Sequence, residues 1–81
     1  PGGEAMTKLA RAYVLAGRVS DARQVVDALV ATAWALPESV AVAARVYELS
    51  GDPAAASAQR ERAERLVPGV MASVASLAPA S

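Results

Sequence analysis

The chain contains neither cysteine nor histidine. The first absence excludes a disulfide framework, a thiol nucleophile and Cys-ligated zinc. With histidine also missing, the commonest general base and the usual soft or borderline metal ligands are gone. There is no phenylalanine, and Trp34, Tyr13 and Tyr47 make up the whole aromatic content. No apolar run approaches the roughly 20 residues that a membrane-spanning helix needs, and no basic start with an apolar centre marks a signal peptide. Charge of one sign is lacking too. Eight basic and eight acidic residues cancel, which leaves no global field to draw the chain onto nucleic acid or an anionic membrane.

Catalytic patterns are equally scarce. No Gly-rich phosphate loop, serine nucleophile elbow or metal-spacing motif occurs. The carboxylates Glu4, Asp21, Asp27, Glu38, Glu48, Asp52, Glu61 and Glu64 are scattered along helical faces, with no pocket-forming segment to raise any pKa. The expectation is a chain with no catalytic, cofactor-binding or metal-binding residues, and one that is not an enzyme.

What is present is small and apolar. Of 81 residues, 54% are hydrophobic, and roughly a quarter of the chain is alanine, which favours closely packed helices over a thick core. A domain of this size buries only about 60 to 65% of the surface its unfolded chain exposes. The opening Pro1-Gly2-Gly3, without a Met, reads as part of a longer protein, so localisation is left open.

The strongest pattern is a self-match at a spacing of 34 residues. Tyr13, Leu15 and Gly17 recur as Tyr47, Leu49 and Gly51, and Ala10, Arg11 and Ala22 recur as Ala44, Arg45 and Ala56. A period of 34 is that of a helix-turn-helix solenoid unit, which implies stacked helical hairpins and a surface built for binding.

Helical spacing supports this reading. A first helix over 4–16 places Met6, Leu9, Ala10 and Tyr13 on one face, and Gly17 supplies the positive backbone angle that ends it. A second over 19–35 carries the widest apolar stripe, including Val25, Val26, Leu29, Val30 and Trp34. Leu36-Pro37-Glu38 starts a third helix, running to about residue 50, with Pro at the first helical position and an acid near the positive end of the dipole. In Gly51-Asp52-Pro53, Gly closes that helix, Asp52 can cap the next and Pro53 fits its first turn. The fourth helix, over 53–66, is rich in Ala, Arg and Glu, with Arg60–Glu64 and Glu61–Arg65 spaced for i, i+4 pairing. After Pro68-Gly69, the residues Val70, Met71, Val74 and Leu77 mark a fifth helix over 70–78, either a cap on the last hairpin or an amphipathic segment that docks elsewhere.

These positions resemble the tetratricopeptide repeat family. Its places are filled by Met6, Leu9, Ala10, Tyr13, Gly17 and Ala22 in a first copy (about 4–36), and by Val40, Ala43, Ala44, Tyr47, Gly51, Ala56, Ala63 and Pro68 in a second (about 37–68). The chain departs from the pattern at Trp34, which stands in the first copy's terminal Pro place, and at Arg60, which replaces an apolar side chain. The resemblance implies an all-α fold, a single domain of antiparallel hairpins stacked as a short right-handed solenoid of about five helices.

It also implies a non-catalytic protein- or peptide-binding module, a scaffold or adaptor within a larger protein. Carried over position by position, the concave groove would be lined by Thr7, Lys8, Arg11 and Val14 from the first copy and by Ala41, Val42, Arg45 and Glu48 from the second. Arg11 and Arg45 would then grip an acidic side chain or a chain terminus together. The family's chaperone-tail clamp uses Asn, which this chain lacks entirely, and that ligand class is disfavoured. The alternative is a structural or oligomerising segment that joins neighbouring repeats or a second copy through its C-terminal helices. Tyr13 and Tyr47 are expected in the core, and Trp34 at the joint between hairpins or as a binding anchor.

Overall fold

The computed structural model describes residues 2–32 and 36–80. They form helices α1 (Gly2–Leu15), α2 (Val19–Val30), α3 (Pro37–Leu49) and α4 (Pro53–Leu66), followed by a short 3-10 helix over Val70–Val74. No strand occurs among the described residues.

The two hairpin turns are built alike. At the end of α1, the Gly17 N–H donates to the Val14 carbonyl and the Arg18 N–H to the Tyr13 carbonyl. At the end of α3, Gly51 donates to Glu48 and Asp52 to Tyr47. This paired pattern is the Schellman motif, which requires a left-handed residue after the helix. Gly17 and Gly51 take that conformation at φ 77° and 78°. The two turns part at the next residue. Asp52 accepts from the Ala55 N–H through its carboxylate and caps α4, whereas Arg18 makes no side-chain cap for α2.

Helix α3 is the centre of the packing, flanked by α1, α2, α4 and the 3-10 segment. Its residues Val40, Ala41, Val42, Ala43, Ala44 and Val46 have no exposure. Short side chains allow neighbouring helices to approach it on several sides, so one helix can be buried nearly all round without bulky residues. Two hydroxyls are buried at the contact of α1 with α3. Thr7 donates to the Gly3 carbonyl at 2.6 Å, and with its proton committed there it accepts from Ser39 at 2.7 Å. The pair satisfies groups that would otherwise be costly to bury.

Several expectations are corrected. Helix α2 ends at Val30, not near residue 35: the amide and hydroxyl of Thr32 both donate to the Leu29 carbonyl, tightening the chain into a turn. Trp34 lies outside the described residues. Leu9, expected on the apolar face of α1, is 44% exposed, while Thr7, Ala10 and Val14 face the core. The C-terminal segment is no α-helix over 70–78. Its amides donate three residues back, Ala72 to Gly69, Ala75 to Ala72 and Leu77 to Val74. With about three residues per turn, Met71, Val74 and Leu77 fall in line, and all three are buried in the common core. At 32 × 26 × 20 Å the body is compact, and two hairpins do not by themselves trace a superhelical path.

Candidate functional site

The eight expected groove residues fall into three settings. Val14, Ala41 and Val42 are fully buried, which removes them from any open surface, and Thr7, 5% exposed, reaches only the floor of the cleft beside it. Lys8 and Arg11 lie, with Glu4, Thr7, Leu36, Glu38 and Ser39, around a cleft of about 460 Å³ between α1 and the start of α3. Arg45 and Glu48 are engaged elsewhere. The Arg45 Nε donates to the Leu77 carbonyl at 2.8 Å and its Nη1 to Glu48 at 3.4 Å, while Glu48 also accepts from Arg60.

The engagement of Arg45 belongs to a larger arrangement. The segment after α4 crosses back over α3 to the end of α1. At its start, the Glu64 carboxylate accepts from the backbone N–H groups of Gly69 and Met71. These two bonds hold the Glu64 pKa below its ordinary value, the Gly69 bond contributing most. Further along, Arg45 grips Leu77, and at the far end the Ala80 N–H donates to the Leu15 carbonyl at 3.2 Å. The chain's own tail therefore occupies Arg45 in the second half of the expected groove, whereas Lys8 and Arg11 in the first half line an open cleft.

Within that open half the charges are balanced. Arg11 donates to Glu38 at 2.8 Å, and Lys8 stands 3.9 Å from Glu4 with both side chains largely exposed. Such surface pairs are worth little and exchange partners readily. An incoming carboxylate could therefore replace Glu4 or Glu38 without stranding a buried charge. Arg11 and Arg45 do not share a partner here: one is held by Glu38, the other by Leu77 and Glu48.

A polar network at the hairpin joint was not anticipated from sequence. Arg23 on α2 donates to Asp52 at 2.7 Å and to Ser50 at 3.3 Å, and its guanidinium sits 5.1 Å from the centre of the Tyr47 ring. The Tyr47 hydroxyl donates to Asp27 at 2.6 Å. Burial, then the bond to Asp27, push the Tyr47 phenol above its ordinary value. The Ala55 N–H and then Arg23 hold the Asp52 carboxyl below its own. The i, i+4 spacing of Arg23 and Asp27 on α2 is the signal that could have revealed it. The expected Arg60–Glu64 pair is replaced by Arg60–Glu48 and by the backbone contacts of Glu64, because the chain reversal at Gly69, at φ 86°, brings free amides to that carboxylate.

A second cleft, of about 470 Å³, lies along α4 and the α3–α4 turn, lined by Glu48, Gly51, Pro53, Ala56, Ser57 and Arg60. Among the described residues, no group of three or more acidic side chains is gathered to hold a metal ion, and no helix is long and apolar enough to cross a membrane. Comparison with known proteins returned no matching family model, and neither a curated protein nor a solved structure matched the chain. Fold and clefts together define an all-α protein of four helices in two hairpins, with one cleft between α1 and α3 and another along α4.

Proposed function

We propose that this chain is a non-catalytic protein- or peptide-binding module of tetratricopeptide type, a scaffold or adaptor within a larger protein, whose hairpins follow a right-handed solenoid path. The observation that carries this reading is the pair of backbone bonds and the left-handed glycine that the two hairpin turns share, one repeat apart, at Gly17 and Gly51. Repeated hairpins present side chains of successive first helices along one surface. The working part of that surface is the open cleft, where Lys8 and Arg11 would take an acidic side chain or C-terminal carboxylate and exposed Leu36 would supply apolar contact.

The test is a titration of the chain with acidic and C-terminal-carboxylate peptides, repeated with Arg11→Ala and Lys8→Ala at two salt concentrations. Affinity should fall in both variants and weaken with salt. Unchanged affinity would remove the cleft from the binding surface.

The second reading is a structural segment that joins copies or neighbouring repeats. Leu66 and Val67, both large, apolar and exposed at the end of α4, favour it. Light scattering over a concentration series separates the two, since a dimer that forms with concentration supports the second.

A further inference from the structure

The two hairpins, related by a spacing of 34 residues, are buried asymmetrically. Helix α3 buries Ser39, Ala43 and Tyr47, which are 1%, 0% and 4% exposed, and meets the preceding hairpin through Ser39 on Thr7 and Tyr47 on Asp27. The corresponding residues of α1 are Ala5, Leu9 and Tyr13; the first two are exposed and the third half-buried. Ala12, exposed, likewise corresponds to the buried Val46. So α1 carries an apolar face at the positions equivalent to the buried face of α3, on a different side from the Lys8–Arg11 cleft; Tyr13 is partly packed against the core, but Ala5, Leu9 and Ala12 are left exposed among the described residues.

The polar groups repeat the asymmetry. Tyr47 donates its hydroxyl to Asp27, a carboxylate from α2 of the preceding hairpin. The Tyr13 hydroxyl has no acceptor among the described residues. Arg23, four residues before Asp27, pairs with Asp52. At the place equivalent to Asp52 the first hairpin has Arg18, a charge of opposite sign, whose guanidinium lies 5.0 Å from the centre of the Tyr13 ring and pairs with Asp21 at the surface. A helix seated on α1 as α2 is seated on α3 would therefore need an acid, not an arginine, opposite Arg18.

We infer that the α1 face made by Ala5, Leu9, Ala12 and Tyr13 is a docking surface for an amphipathic helix bearing two carboxylates four residues apart, with aliphatic residues between and after them. The first carboxylate meets Arg18 and the second accepts from the Tyr13 hydroxyl. The aliphatic side chains, in the places of Val26 and Val30, cover Leu9 and its alanine neighbours. The outer side of this chain's own α4 does not fit that description: Ser57, Arg60 and Glu64 stand where α2 has Arg23, Val26 and Val30, and Glu64 is already committed to the tail. A second copy is thus disfavoured as the occupant.

The probe is a stapled helical peptide with the sequence of residues 19–32 carrying Arg23→Glu, titrated into the 81-residue chain and followed by two-dimensional NMR at peptide concentrations up to about 1 mM. Shifts should centre on Ala5, Leu9, Ala12, Tyr13 and Arg18. Tyr13→Phe in the chain, or Asp27→Ala in the peptide, should weaken binding about fivefold, the effect of one lost hydrogen bond. Leu9→Asp should abolish it without unfolding the chain, since Leu9 is already exposed. Absence of binding, shifts centred on Lys8 and Arg11, or concentration-dependent shifts at the α1 face without peptide would each overturn the proposal, the last by naming a second copy as the occupant.

Discussion

Replacing Tyr47 with Phe and, separately, Tyr13 with Phe gives the sharpest test of the hairpin joint. Both substitutions remove one hydroxyl from the same place in a hairpin and leave apolar burial almost unchanged. At Tyr47 the hydroxyl donates to Asp27 at 2.6 Å from a ring that is almost wholly buried. A hydrogen bond to a charged group is worth up to about 3 kcal/mol. Asp27 is exposed, however, and regains water when the donor leaves, which lowers the expected loss to about 1 kcal/mol. For a domain of this length that corresponds to a fall in Tm of about 5 °C. At Tyr13 no such bond exists among the described residues, and the loss should stay within about 0.5 kcal/mol. Thermal and urea denaturation followed by circular dichroism reads both. Equal losses in the two variants, or a larger one at Tyr13, would refute the assignment of the Tyr47–Asp27 bond as a tie between hairpins.

The same bond predicts an alkaline response. Because the Tyr47 pKa is raised on folding, its contribution is complete below about pH 10, the ordinary phenol value, and is lost as pH rises toward the folded value; Tyr47→Phe should flatten that decline in urea melts at pH 9 to 11. Gly51→Ala places a side chain at positive φ with no neighbouring atom within 4 Å of the new Cβ, so backbone strain alone should cost about 1 to 2 kcal/mol, and Gly17→Ala the same; melting temperatures unchanged in both would contradict the turn geometry. Val74→Ala in the C-terminal segment should cost about 2 kcal/mol, from two lost methyl groups plus a cavity at a site with no exposure. A cost near zero would mean that the tail does not belong to the core. Asp52 adds an acid limb: its pKa is lowered on folding, its contribution is present above the ordinary carboxylate range and is lost as pH falls, and Asp52→Asn should blunt acid destabilisation in melts at pH 2 to 5.

Local chemistry made the two hairpin turns and the starts of α3 and α4 legible, though not the end of α2. Gly17, Gly51, Pro37 and Asp52-Pro53 each impose a conformation through their own side chain or its absence, so their positions carry over from sequence to structure unchanged. Leu9 was misplaced for a different reason. Its helical phase is ambiguous by one position, and burial is decided by which neighbour happens to be present. Thr7 reads as polar, yet it is buried because Ser39, far off in sequence, supplies a matching hydroxyl. The tail was expected as an α-helix because Met71, Val74 and Leu77 fit a helix of either period. The shorter one prevails in a segment that begins at a left-handed Gly69 and is pinned by Glu64, Arg45 and Leu15. Of the expected groove residues, Lys8 and Arg11 stand at an open cleft, whereas Arg45 is taken up by the Leu77 carbonyl of a segment that sequence spacing could not route to it.

That route also orders events as the protein is made. Each hairpin is closed by contacts within a short stretch of chain, the kind that forms soonest. The bonds from Arg45 to Leu77 and from Ala80 to Leu15 join residues synthesised far apart, and domains assemble from the N-terminal side during translation. Both hairpins can therefore stand on a ribosome with the Arg45 guanidinium still without its Leu77 acceptor, until the tail emerges and closes over α3.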